Sequence, residues 1–252
     1  MKIKIYCASE IDVTHQATIN EIKKQIDCSN LVIIKNLLPE ELLTALKAYT
    51  HQVGVSSLPS YHPIELHCPD HHRIINNDPR AHVASCMHLY SFYPWNQNVF
   101  NLFHHCQKAF QLRNILSDID DKDFLNRVPT DDYVPRIAIQ HYPAGGGFLA
   151  AHKDPVWELQ KINISIQLSQ INENFNTGGL FFQDDGEQVM VDEHLQVGDA
   201  ALFPAQANHG VTSIDSDKEL SWLSPEGRWS LLPTYVPTQK NNLAANSVSI
   251  NR

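Results

Sequence analysis

From residue 136 onward, short apolar runs alternate with turn signals at nearly even spacing. The runs fall at 136–142, 162–168, 179–182, 188–191, 200–203, 210–214 and 229–235. Between them lie Pro143 with Gly145–Gly147, Asn176 to Gly179, Asp184 to Gly186, Gly198-Asp199, and Pro225 to Gly227. Short strands punctuated this way predict a sandwich or barrel of β-strands. In 162–168, Ile162, Ile164, Ile166 and Leu168 alternate with Asn163, Ser165 and Gln167. One face of that strand is therefore polar and suited to line a cavity, and the other suits a cover of helices.

Upstream, the period changes. Residues 31–34 form a compact apolar run that reads as a strand, after an apolar alternation at Ile3 and Ile5. Leu38-Pro39-Glu40-Glu41 opens a helix, with proline early and acids in the first turn. Leu42, Leu43, Leu46 and Tyr49 recur at helical spacing. Residues 51–97 read as loops with short strands near 83–89. Residues 99–115 read as a helix through Phe100, Phe103, Phe110 and Leu112, and 117–134 as an acidic surface loop. The expectation is an α+β chain with one domain over 1–237. Its helical, substrate-side region spans about 1–135 and its strand core about 136–237, with a polar tail at 238–252.

Composition narrows the class. The 252 residues are 42% hydrophobic and 19% charged, as in an ordinary soluble globular protein. A net charge of −9 without a dense Lys/Arg run argues against a nucleic-acid partner. No apolar stretch is long enough to span a bilayer, and the start lacks a signal-peptide layout, so a cytoplasmic protein without membrane association is expected. Five scattered cysteines without a C-x-x-C pair read as reduced packing residues. The oligomeric state is left open.

The chemistry concentrates in the strand region. His152 and Asp154 are two residues apart, so on an extended edge both side chains point the same way. Pro155 stops the strand, and His209 would arrive from a later one. Two imidazoles and one carboxylate form a facial triad, the set expected for a non-haem Fe(II) centre with open positions. Arg228 adds a fixed cation able to hold a carboxylate.

These residues lie in "HYPAGGGFLAAHKD", "TGGLFF", "VGDAALFPAQANHGV" and "GRWSLL". In that order the four segments resemble the Fe(II)/2-oxoglutarate-dependent dioxygenase superfamily, over roughly residues 136–236. The resemblance implies a double-stranded β-helix (jelly-roll) with iron at its mouth, held by His152, Asp154 and His209. It implies 2-oxoglutarate and O2 as co-substrates, with succinate and CO2 released as a C–H bond is hydroxylated. It places the distal carboxylate of 2-oxoglutarate on Arg228 and Ser230, with Tyr142 as a phenol ligand. Asn163 on the polar strand face is a further candidate contact, and Gln140 shares the face of Tyr142. Related halogenases carry a small residue where this chain has Asp154, so hydroxylation is favoured. The 19 positions from His209 to Arg228 exceed the spacing in many members. The extra stretch, 215–227, reads as a hairpin or loop beside the mouth, and its Lys218 is a rival to Arg228.

Other features have plainer readings. His67-Cys68-Pro69-Asp70-His71-His72 fits no closed zinc pattern and reads as a loop. Neighbours in His104-His105-Cys106 diverge on a helix, which favours packing. Tyr90, Phe92, Tyr93 and Trp95 suit either pocket or core, and Trp157 and Trp229 suit pocket walls. Gly145–Gly147 reads as a turn, not a phosphate loop.

The function expected is a hydroxylase of a small molecule, such as an amino acid or a natural-product intermediate. Beside it stand a different oxidative outcome on the same iron, such as desaturation, ring closure or epimerisation, and two further rivals. One is a protein side-chain hydroxylase docking a basic peptide on the acidic loops. The other is a non-enzymatic jelly-roll that binds a ligand.

Overall fold

A computed structural model of the chain describes residues 1–28, 30–57, 59, 70–79, 81–96, 98–120, 122–127 and 133–237. Its first half holds β1 (Ile3–Cys7), α1 (Gln16–Asp27), β2 (Leu31–Lys35), α2 (Glu40–Ser56), β3 (His71–Asn76) and β4 (Ser85–Phe92). Then come α3 (Leu102–His105), α4 (Gln107–Leu116), β5 (Tyr133–Pro143), β6 (Gly147–His152) and β7 (Ile162–Gln167). The chain ends in β8 (Gly179–Asp184), β9 (Glu187–Met190), β10 (Ala200–Pro204), β11 (His209–Ile214) and β12 (Gly227–Pro237).

The strands run in the order β1-β2-β10-β7-β12-β5-β4-β6-β11-β8-β9, with β3 beside β4. Strand β4 pairs with both β5 and β6 and so turns the corner between a large and a small layer. The small layer is β6-β11-β8-β9. Two apolar groups join the layers, one around Met87, Leu89 and Val211 and one around Ile33, Phe182 and Phe203. The helices cover the other face of the large layer, over Ile164, Ile166, Trp229 and Leu231. This is a double-stranded β-helix under a helical cover.

Burial explains the patterns. Leu31 to Ile34 are all apolar because β2 is covered on both faces: Val32 and Ile34 meet the helices, and Leu31 and Ile33 meet the small layer. Strand β7 splits as its alternation predicts, with isoleucines under the helices. Helix α1 buries Ile19, Ile22 and Ile26, one stripe at helical spacing. Helix α2 starts after an extended Pro39, which cannot donate a hydrogen bond there.

Some expectations change. The strands expected at 31–34 and near 83–89 form, and with β1 and β3 they make the N-terminal region extend the large layer as well as cover it. The helix expected over 99–115 is broken: Phe100 and Asn101 have φ of 55° and 53°, and α3 and α4 are separate. His71 and His72, expected in a loop, open β3, and both are buried. Residues 67–69 of that His-rich segment lie outside the described residues, as does Cys68. The four described cysteines are free thiols. No described helix is long and apolar enough to cross a membrane.

Candidate metal centre and co-substrate site

His152 closes β6 and His209 opens β11, and the two are directly paired across the strands. The sequence separation of 57 residues thus collapses to one rung of the small layer. Their ring centres are 4.4 Å apart. Asp154 follows just after β6, where its backbone N–H donates to the Ala205 carbonyl at 2.9 Å. Its Oδ1 lies 3.5 Å from His152 Nε2 and its Oδ2 3.6 Å from His209 Nε2. Among the described residues this is the one group whose ligand atoms converge closely enough to hold a metal ion.

The tautomers are set by the backbone. His152 Nδ1 donates to the Ala150 carbonyl and His209 Nδ1 to the Ala207 carbonyl, each at 2.9 Å. Each Nε2 is then the nitrogen that faces Asp154 and that a metal ion would take in place of a proton. Phe203 packs on the His209 ring at 4.8 Å between centres and restricts its rotation. Burial alone would raise Asp154, yet the two histidines and Asn163 hold its carboxylate below the usual range. Burial lowers His209 despite the nearby carboxylate, whereas for His152 the Asp154 contact outweighs burial and raises it. Asp154 is therefore held as a carboxylate anion between the two rings.

Asn163 sits at this trio and not beside Arg228: its Nδ2 donates to Asp154 Oδ2 at 2.7 Å. The polar face of β7 was legible, but which of its residues meets the metal end was not.

Deeper between the layers, Arg228 is 1% exposed. Its Nε donates to Asp192 Oδ2 at 2.8 Å, and its Nη2 to Asp192 Oδ1 and Gln167 Oε1, both at 3.0 Å. Asp192 also accepts from Gln167 Nε2 and from the Leu180 N–H. The other edge of the guanidinium, at Nη1, makes no hydrogen bond among the described residues. Ser230, two residues on and on the same face, has a buried Oγ without a hydrogen-bond partner. Tyr142 pairs opposite Arg228 across β5 and β12. Its hydroxyl donates to Gln140 Oε1 at 2.9 Å, and burial pushes it up, so it stays a neutral phenol. Nothing in the sequence marked Asp192 as the partner of Arg228.

Several candidates lie elsewhere. Lys218 pairs with Asp215 at 3.0 Å and Glu226 at 3.2 Å, within its own loop, so it does not rival Arg228. That loop does not border the cavity beside the metal trio; Trp222 instead meets His88 on the helix-covered face. Trp229 stacks on His141 under the helices at 3.9 Å between centres and is no pocket wall. Tyr90 and Phe92 also belong to that core, and Tyr93 stacks on Trp95 beside Val134 and Val236. Trp157 does line the cavity, which measures about 500 Å³ and opens onto His152 and Asp154.

Solved structures share this architecture. A prolyl-4-hydroxylase from Pseudomonas putida superposes with a TM-score of 0.56 at 13% identity, over 88% of this chain and 99% of that one. The chain shares that fold. A Trichoplax adhaerens prolyl hydroxylase, solved with a peptide fragment of hypoxia inducible factor, gives 0.52 at 14% identity, over 95% and 99%. AviO1 from Streptomyces viridochromogenes gives 0.51 at 14% identity, over 94% and 99%. No family model matches the sequence, and no curated protein matches it.

Proposed function

We propose that this protein is an Fe(II)- and 2-oxoglutarate-dependent dioxygenase that hydroxylates a C–H bond of a small molecule. The observation that carries this reading is the convergence of two backbone-anchored histidine Nε2 atoms on Asp154 at the end of a cavity. Two imidazoles and a carboxylate on one side suit Fe(II) and leave its other positions open. Bound iron with 2-oxoglutarate and O2 would supply the oxidising chemistry, releasing succinate and CO2.

The chain's own residues fit the co-substrate as well. Arg228 Nη1 and the unpartnered Ser230 Oγ are adjacent donors in a buried place, which suits a carboxylate. The neutral Tyr142 phenol stands opposite them. Asp192 holds the guanidinium plane so that it needs no rearrangement on binding. Asn163 orients Asp154, and the surrounding layers exclude water from the deep end. A cavity of about 500 Å³ is within the range of small-molecule pockets.

The test is an anaerobic titration of metal-free protein with Fe(II) and then 2-oxoglutarate, following the weak visible band of the chelate. A saturable band that is lost in Asp154→Ala supports the reading. Failure of the wild-type protein to develop a band removes it and favours a ligand-binding jelly-roll.

A further inference from the structure

Arg136 lies on β5 six residues before Tyr142, so the two side chains share the inner face of the large layer. It pairs opposite Thr234 of β12, and its Nε donates to Thr234 Oγ1 at 3.1 Å. The side chain is 7% exposed, and its Nη1 is buried without a hydrogen-bond partner. No carboxylate pairs with it among the described residues. The titratable neighbours that bear on it are the Tyr93 phenol and another cation, Arg73. Burial draws its guanidinium down to about 10, so it remains a cation at neutral pH.

An arginine in this position is costly unless an anion reaches it, because desolvation of a charge is otherwise uncompensated. None of the described residues supplies such an anion, and Arg136 borders the cavity that holds His152 and Asp154. Asp154 is the one carboxylate among the lining residues, and a bound metal would take up its charge. Arg136 and Lys153 are the lining cations, in a chain whose net charge is −9. A second buried cation backs the same wall. Arg113 has no hydrogen-bond partner for Nε, Nη1 or Nη2, and its guanidinium carbon lies 5.1 Å from the centre of the Tyr235 ring. The lining also includes apolar Ile75, Met87, Leu149 and Leu232.

This cation is not a second handle for 2-oxoglutarate. Six strand residues separate Arg136 from the level of Tyr142 and Arg228, roughly 20 Å along the sheet. Arg228, Ser230 and Tyr142 do not border the cavity that Arg136 lines.

We infer that the substrate is a small molecule with an apolar body and a carboxylate, the carboxylate seated on Arg136 and the body against Ile75, Met87 and Leu149. The word substrate rests on the oxygenase reading, whereas the carboxylate site itself does not. Arg136 is a specificity-determining residue, and Thr234 positions it through Nε.

The experiment uses the full chain loaded with Zn(II) and saturating 2-oxoglutarate, which cannot turn over. Straight-chain monocarboxylates from acetate to octanoate are titrated by calorimetry beside the corresponding amides and alkyl phosphates. The carboxylates of intermediate length bind, and the amides bind more weakly. Arg136→Met weakens the carboxylates roughly tenfold or more, as loss of a charge-assisted hydrogen bond predicts. It leaves the amides unchanged, and Arg136→Lys restores part of the loss. Tighter binding of the alkyl phosphates than of the carboxylates would overturn the choice of a carboxylate. Equal binding of acids and amides, no binding of any acid, or undiminished acid binding by Arg136→Met would overturn the site. Loss of the Fe(II)–2-oxoglutarate band in Arg136→Met would also overturn it, by moving Arg136 to the co-substrate. A wild-type protein that forms no such band but binds carboxylates through Arg136 would remove the oxygenase reading and leave this site standing.

Discussion

Asp192 and Arg228 form a two-point ion pair inside the β-helix, Nε to Oδ2 at 2.8 Å and Nη2 to Oδ1 at 3.0 Å. Both side chains are almost fully buried. The same carboxylate receives the Leu180 N–H and Gln167 Nε2. Arg228 is therefore a structural cation as well as a proposed ligand, and its removal would disturb both roles at once.

Asp192→Ala leaves a buried guanidinium unpaired and strips an acceptor from Leu180 and Gln167. Breaking a buried pair from one side costs about 3–5 kcal/mol. Urea unfolding followed by fluorescence should show a loss of unfolding free energy of that size. A loss below about 1 kcal/mol, the scale of an exposed pair, would mean that the ion pair does not exist in solution.

Ser230→Ala separates co-substrate binding from folding. The Ser230 Oγ is buried and unpartnered, so deleting it removes an unsatisfied group and should leave stability unchanged or slightly raised. The Kd for 2-oxoglutarate, read from the chelate band, should rise roughly tenfold, as for one hydrogen bond to a charged group. An unchanged Kd would take Ser230 out of the site.

Asn163→Ala removes the donor that holds Asp154 Oδ2. Outer partners of metal ligands are typically worth about ten- to a hundredfold in metal affinity. Competition between the protein and a chelator for Fe(II) or Zn(II) measures this directly. Wild-type affinity in the variant would show that Asp154 is oriented by its backbone contact alone.

Acid stability depends on a buried stack outside the cavity. His72 Nε2 and His88 Nδ1 share a 2.9 Å hydrogen bond, and burial lowers His72 to about 4 and His88 to about 3. Above pH 6.5 both folded and unfolded states hold these rings neutral. As the pH falls below that, the unfolded chain binds protons that the folded protein refuses until about 4 and about 3. Stability is thus retained above about 6.5 and falls through this window, by an amount on the order of a few kcal/mol. Urea unfolding at pH 7, 6 and 5 should show a progressive loss, reduced in His88→Phe. A flat profile between pH 7 and 5 would contradict it.

Much of this protein is settled by local sequence. Period-two alternation marks β7 and its polar inner face, the all-apolar run at 31–34 marks a strand covered on both sides, and turn residues separate the later strands. The trio that could hold a metal was legible because His-x-Asp needs only two neighbouring side chains and the later His follows a strand and turn. Strand β6 was not picked out, although His152 sits at its end, because its run from Gly147 lacks a clear alternation. What only the tertiary structure decides is which distant residues meet. Register sets His209 opposite His152, carries Asp192 onto Arg228 across 36 positions, and brings Asn163 to Asp154. The same holds for Arg136, which in sequence is one more charged residue at the start of a strand. Its importance lies in a missing partner, and a missing partner is a property of the whole packed interior, since every other chain segment must be placed before it can be seen that none of the described ones supplies an anion.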